Sequence, residues 1–383
     1  MMSRPDLVLS GNIWSENGFK PGRITVRDGR IAEVDFKPGP SAEADFDFGD
    51  AMITPGLIDL QLNGAIGFDF TQNPETVEVV AETLPKWGVT SFLPTFITAP
   101  IETYYKALEY LRDRKQGKPG ANILGAHLEG PYLNTTFRGA HDSNYIREPS
   151  LGEINRLLSY GTMKFLTLAP EEPGALELVR RANEEGVLVA AGHSGATYEE
   201  GVAAFGAGVH CATHLFNAMP ILNHRAPGLV GAALENPEIT TNLIVDGVHL
   251  HPTVVRFIYR LKGWERICLV TDAMAGLGMK PGRYELAGQM VIVDHNSARL
   301  VERESLAGSI LSLNDALRNM IEFTGCPAYE AVNMATLNPA RMLGIQDRKG
   351  QLQPGFDADI AVFSPEFEPL LTIVGGAVVF SKN

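Results

Sequence analysis

Cys211-Ala212-Thr213-His214-Leu215-Phe216-Asn217-Ala218-Met219-Pro220 is the stretch on which the fold turns. An apolar, β-type run from Gly208 to Thr213 ends in a histidine, and polar groups continue past it to a proline that stops regular structure. This is the pattern of a buried strand delivering a side chain to a surface. A single histidine there is equally compatible with a satisfied core residue. Its meaning depends on recurrence, and the pattern recurs.

Working outward, short apolar runs alternate with helical periodicity. The candidate strands are 56–60, 91–96, 123–128, 165–169, 187–191, 209–213, 242–245 and 267–271, and stretches such as 76–87 and 101–114 read as amphipathic helices. Eight strands alternating with helices predict an α/β fold, a (β/α)8 TIM-like barrel over residues 54–350. An open doubly wound sheet is the alternative, but no glycine-rich dinucleotide loop follows the first strand. The two ends differ in texture. Leu7-Val8-Leu9, Ile24-Thr25-Val26, the turn signal Asp28-Gly29 and Ile31-Ala32-Glu33-Val34 precede the barrel; Ile360-Ala361-Val362-Phe363, Leu371-Thr372-Ile373-Val374, Gly375-Gly376 and Ala377-Val378-Val379-Phe380 follow it. They predict one small β-sandwich domain formed by residues 1–53 and 351–383.

The 383 residues suit one large domain with a small satellite, and 45% apolar with 20% charged residues is ordinary globular composition. A formal net charge of -13 argues against nucleic acid or an anionic membrane surface as partner, so an anionic substrate would need a local basic pocket. Met1 to Leu9 lacks the apolar core of a signal peptide and no later segment has the uncharged length to span a bilayer, which predicts a cytoplasmic protein. Cys211, Cys268 and Cys326 are odd in number and set in apolar contexts, as expected of reduced, buried thiols.

In a barrel the C-terminal ends of the strands converge on one face. Those ends read Asp59-Leu60-Gln61-Leu62-Asn63, His127-Leu128-Glu129-Gly130-Pro131, Gly192-His193-Ser194, His214, Asp246-Gly247-Val248-His249 and Thr271-Asp272-Ala273. Glu129, His193 and His214 are the donors a catalytic zinc-type site uses, three protein ligands leaving a position for water; the competing reading makes each a structural polar group. Asp272 follows an apolar strand and suits bifunctional acid–base work beside a metal-bound water, or else caps the next helix. His249 suits donation to a developing oxyanion. Arg225, in Asn223-His224-Arg225-Ala226-Pro227-Gly228, suits a phosphate or carboxylate, or is a solvated loop charge. His210, His224, His251 and His295 read as structural or surface residues.

The set His127-Leu128-Glu129-Gly130-Pro131, Gly192-His193-Ser194, Thr213 to Met219, Asp246-Gly247-Val248-His249, Val270-Thr271-Asp272-Ala273 and Leu306-Ala307-Gly308-Ser309 resembles the N-acetylglucosamine-6-phosphate deacetylases of the amidohydrolase superfamily. The resemblance covers nearly the whole chain, including Ile53-Thr54-Pro55-Gly56-Leu57-Ile58-Asp59. Where the superfamily usually carries a His-x-His metal pair, this chain has Gln61-Leu62-Asn63, which implies a single metal and counts against a dihydroorotase-type enzyme.

The resemblance implies metal-dependent hydrolysis of the N-acetyl group of N-acetylglucosamine 6-phosphate, giving glucosamine 6-phosphate and acetate. Glu129, His193 and His214 would hold one divalent ion, zinc first, with iron, manganese and cobalt compatible with the same donors. Asp272 would be general base and acid, and His249 would polarise the acetamide carbonyl. Ala140, His141, Asn217, Ala218, Arg225, Leu306, Ala307 and Gly308 would contact the substrate. The resemblance also implies a homodimer. The galactosamine epimer is an alternative substrate, and a metal-free sugar-phosphate-binding barrel without activity is an alternative of another class.

Overall fold

The computed structural model describes residues 7–15, 17–37, 44–115, 117–303 and 305–382; the N-terminal stretch Met1 to Asp6 lies outside the described residues. All eight candidate strands form. Leu57–Leu62, Val89–Ile97, Ala126–Glu129, Met163–Leu168, Leu188–Ala191, Cys211–Ala212, Thr240–Leu243 and Ile267–Leu269 lie side by side in chain order in a parallel sheet. The sheet closes on itself. Ala273, just past the eighth strand, bridges Leu62 of the first, with Asp272 N–H donating to the Gln61 carbonyl at 2.8 Å and Asn63 N–H to the Ala273 carbonyl at 2.8 Å.

Strands covered on both faces are mostly apolar, and Val89–Ile97 is buried at every position, the hydroxyls of Thr90, Ser91 and Thr95 included. The surrounding helices show the one-sided burial their periodicity demands. In Ile101–Asp113, Tyr104, Ala107, Leu108 and Leu111 face inward, at spacings of three and four. Ser150 caps the start of Leu151–Leu158 by accepting the Glu153 N–H. Thr197 and Glu200 form a reciprocal capping box ahead of Tyr198–Gly206, and such caps contribute about 1 kcal/mol each. Leu128, Phe92 and Phe165 are fully buried, each worth roughly 1.5–3 kcal/mol of transfer free energy.

The end segments meet as the patterning predicts, in hydrogen-bonding terms as one continuous sheet. Its seven strands run Ala377–Ser381, Pro369–Val374, Ile360–Phe363, Phe46–Pro55, Leu7–Ser15, Gly18–Arg27 and Arg30–Asp35. Asp28 (φ 49°) and Gly29 (φ 79°) form the tight turn between the last two, both residues taking the positive φ that a two-residue hairpin requires. Phe46–Pro55 is followed after Gly56 by the first barrel strand, so a single residue joins the two units.

One element goes beyond the sequence reading. After the eighth strand, Gly282–Leu286, Gln289–Val293 and Ala298–Leu300 make a three-stranded antiparallel sheet. Its inner residues Leu286, Val291, Val293, Ala298 and Leu300 form a small core with Ile97, Ala140, Met274 and Ala307, so it folds over the face where the barrel strands end. Asp69 anchors it by accepting the Ala287 N–H at 2.9 Å.

Candidate active site

The strand ends project into a cavity of about 220 Å3. Residues 127 and 129 lie on the same side of the third strand, since side chains alternate, but one layer apart. His127 sits in the barrel interior, its Nδ1 3.1 Å from the Leu60 carbonyl, its Nε2 2.9 Å from Thr167 Oγ1 and its ring stacked on Phe165. Burial lowers its pKa to about 4, so it is a neutral packing residue. Glu129, at the strand's last position, reaches the cavity.

His193 (φ 49°), His214 (φ 28°) and Asp272 (φ 48°) all take left-handed backbone conformations, which turn the chain sharply at the rim and aim the side chains inward. Such positions cost about 1 kcal/mol or more each and concentrate at functional sites. The three donors then converge. Glu129 Oε1 lies 3.1 Å from His193 Nε2 and 3.1 Å from His214 Nε2, and the two nitrogens are 3.1 Å apart. A tetrahedral ion with bonds of about 2.0 Å spaces its donors by roughly 3.3 Å. His193 Nδ1 is 3.1 Å from the Phe137 carbonyl, which places the hydrogen on that nitrogen and turns the Nε2 lone pair toward the cluster. His214 Nδ1 is buried without a partner. Burial opposes the charge on Glu129, but the His193 and His214 imidazoles beside it overcome it and hold its pKa well below the usual range; Glu129 in turn outweighs the burial that would lower the pKa of His214, and raises it. A carboxylate that stabilises a positive charge among two imidazoles is a group that can hold a divalent cation, and this one can.

Asp272 is 8% exposed. Its Oδ1 accepts from Asn63 Nδ2 at 2.7 Å and from Gln61 Nε2 at 3.1 Å, and Gln61 Nε2 also donates to Glu129 Oε1 at 2.9 Å. The amide pair at the first strand therefore bridges two buried carboxylates by hydrogen bonds, in the place where a histidine pair would offer lone pairs to a second ion. Burial, then the charge of Glu129, push the Asp272 carboxyl up to about 7.

Two further histidines line the cavity as opposite tautomers. His141 Nδ1 accepts the Thr98 backbone N–H at 3.2 Å, so its hydrogen is on Nε2, 4.0 Å from Glu129 Oε2; burial holds its pKa well below the ordinary value. His249 Nδ1 is 2.6 Å from Asp246 Oδ2, so its hydrogen is on Nδ1. Ala140, Asn217, Ala218, Leu306 and Gly308 complete the wall with Asn63, Ile97, Gly139, Ile244, Leu286 and Ser305. Gly308 (φ 61°) passes so close to the site that a Cβ there would lie 2.7 Å from the Asp272 carbonyl oxygen.

Two of the residues singled out from the sequence stand elsewhere. Ala307 is buried in the small core under the three-stranded sheet, its side chain alternating away from the cavity. Arg225 is exposed and lines an adjoining cavity with Tyr198, Glu199, Pro220 and Pro227, because the loop carrying it runs outward after Pro220. No lysine or arginine lines the main cavity among the described residues. The sequence reading missed Gln61 and Asn63 as partners of Asp272, and Asp246 as the partner of His249. Their signal was position, since all three occupy strand ends.

A closed parallel barrel with a carboxylate–histidine cluster at its C-terminal face defines a class, and the chain belongs to it: it is a member of the amidohydrolase family, which its sequence matches over residues 52–379. Its relatives narrow the class. It is 37% identical to the N-acetylglucosamine-6-phosphate deacetylase of Bacillus subtilis, over 94% of this chain and 93% of the relative. It is 39% identical to the N-acetylgalactosamine-6-phosphate deacetylase of Escherichia coli O157:H7, over 88% and 89%. The structure of N-acetyl-D-glucosamine-6-phosphate deacetylase from Mycobacterium smegmatis, a variant in complex with N-acetyl-D-glucosamine-6-phosphate, superposes with a TM-score of 0.92 at 33% identity, covering 98% of this chain and 100% of that one.

Proposed function

We propose that this protein hydrolyses the N-acetyl group of N-acetylglucosamine 6-phosphate, releasing acetate and glucosamine 6-phosphate, with one divalent metal ion. The observation that carries the reading is the convergence of Glu129, His193 and His214 with Asp272 on one cavity, in a chain whose relatives deacetylate amino sugar phosphates. Glu129 Oε1, His193 Nε2 and His214 Nε2 would hold the ion, zinc in our reading; iron, manganese and cobalt suit the same donors. When bound, the ion supplies Lewis acidity toward a carbonyl oxygen and makes water more acidic.

The protein's own groups do the rest. Asp272, anchored through Oδ1 by Gln61 and Asn63, keeps Oδ2 free to take a proton from the attacking water and return it to the departing amine nitrogen. His141 offers a fixed neutral Nε2–H toward the same space, and His249 donates from Nε2 once protonated. Ala140, Asn217, Ala218, Leu306 and Gly308 shape the wall against the sugar. Arg225 would meet the phosphate from the adjoining cavity. Ile221, 90% exposed, and Leu222, 43% exposed, stand on the same loop, which supports a homodimer that buries this tip.

The 39% identity to a galactosamine-type relative favours a second reading in which the 4-epimer is the substrate. Metal content and acetate release from both phosphorylated epimers and from unphosphorylated N-acetylglucosamine test both. We expect one ion per chain and the highest kcat/KM on the phosphorylated gluco epimer. A higher value on the galacto epimer moves the second reading to the front, and metal-loaded protein that releases no acetate from any of them overturns both.

A further inference from the structure

Asp246 follows the seventh strand in the turn Asp246-Gly247-Val248-His249, and its two carboxylate oxygens have separate tasks. Oδ1 accepts the backbone N–H groups of Val248 and His249, both at 2.8 Å, which fixes the turn. Oδ2 has no part in that turn. It lies 2.6 Å from His249 Nδ1, and the two side chains are only 9% and 6% exposed. A turn needs one oxygen, so the second contact asks for its own explanation.

From this geometry we infer that Asp246 is a positioning residue for the deacetylation reaction: it holds His249 with hydrogen on Nδ1 and Nε2 directed at the substrate cavity. The inference rests on the role of His249 under Proposed function. The consequence is chemical. Neutral His249 presents a lone pair at Nε2 and accepts a hydrogen bond; after taking a second proton from solvent it becomes an imidazolium that donates there, its charge stabilised by Asp246. Asp246 itself stays ionised: burial works against its charge, and the hydrogen bond and charge of His249 prevail, lowering its pKa. The site thus contains two imidazoles held as opposite tautomers: His141 with hydrogen on Nε2, set by the Thr98 backbone N–H, and His249 with hydrogen on Nδ1, set by Asp246.

Asp246→Asn separates this role from the turn. The two backbone N–H groups retain the amide oxygen, so the amide NH2 faces Nδ1 and forces that nitrogen to accept. His249 would then be neutral with hydrogen on Nε2. In zinc-loaded protein labelled with 15N-histidine, and assigned with His249→Gln, we expect the Nδ1–H tautomer or the imidazolium for His249 in the parent and the Nε2–H tautomer in Asp246→Asn. We expect kcat to fall about 100-fold with KM changed less than about threefold. An Nε2–H tautomer in the parent protein overturns the proposal, and so does an Asp246→Asn enzyme with the parental kcat. If His249→Gln deacetylates at the parental rate, the role of His249 itself fails; if it is slow while Asp246→Asn is not, only Asp246 loses its assignment.

Discussion

Asp272→Asn tests the proposed chemistry with little disturbance of the structure. Asp272 Oδ1 is held by Asn63 Nδ2 at 2.7 Å and Gln61 Nε2 at 3.1 Å, both N–H donors, so the asparagine oxygen must take that position and the NH2 replaces the free oxygen. The side chain stays where it was and loses only the lone pair that receives the proton of water. The loss should therefore equal the contribution of one positioned general base, about 10²–10⁴-fold in kcat, or about 3 to 5 kcal/mol of barrier. None of the three ion-holding side chains of the proposal, Glu129, His193 and His214, is altered, so metal content should remain at the parental value. Substrate affinity, measured by calorimetry on the slow variant, should change by less than about threefold. Acetate release followed under single-turnover conditions reads the chemical step. A variant within tenfold of the parent removes Asp272 from the mechanism, and one that loses its metal shows that the anchoring by Gln61 and Asn63 does not act as described.

Two further outcomes follow from local geometry. Gly308→Ala would place a Cβ 2.7 Å from the Asp272 carbonyl oxygen at a φ of 61°, so kcat should drop at least tenfold while far-UV dichroism is unchanged; parental kcat would show that the rim yields freely. Asp69, whose carboxyl burial and then Glu285 push up to about 6 against hydrogen bonds from Ala287, Gln72 and Thr71, governs a pH effect on stability. Its folded pKa is above the unfolded value, so the native state binds the proton more tightly. That contribution is full below about pH 4 and is lost as pH rises through 6, about 3 kcal/mol in total. Denaturant unfolding of the parent and Asp69→Asn across pH 4–7 should show the stability difference drifting in favour of the variant by that amount, and a constant difference refutes the assignment.

Much of the architecture was legible because burial leaves a strong mark. A strand such as Val89–Ile97, covered on both faces, is written mostly in apolar residues with small hydroxyl side chains between them, and eight predominantly apolar candidate runs appear in order along the chain. Strand six is the instructive departure. The apolar run extends over 209–213, yet only Cys211–Ala212 pair as strand, because the chain turns left-handed at His214 to aim its ring, and φ is invisible in residue types. The covering sheet was missed although Tyr284-Glu285-Leu286, Ala287-Gly288 and Gln289-Met290-Val291-Ile292-Val293 carry alternation about a two-residue turn. Site residues were legible as far as the barrel rule reaches, to strand ends. That rule cannot tell His127 from Glu129, two positions apart on one face, nor say that the loop after Pro220 carries Arg225 away from the cavity.

The seam between the first and eighth strands has a further consequence. Gln61 and Asn63 come from one end of the barrel sequence and Asp272 from the other, and the main-chain bonds that join Asp272 to Gln61 and Asn63 to Ala273 are the ones that shut the cylinder. If Asp272 acts as proposed, assembly of the reaction centre and completion of the fold are one event. A nascent or partly opened chain that has not zipped this seam has Asp272, the proposed acid–base group, more than two hundred residues of chain away from the amides that orient it. Turnover in such a molecule doubles as a report on topology, since any population that deacetylates has already closed its ring.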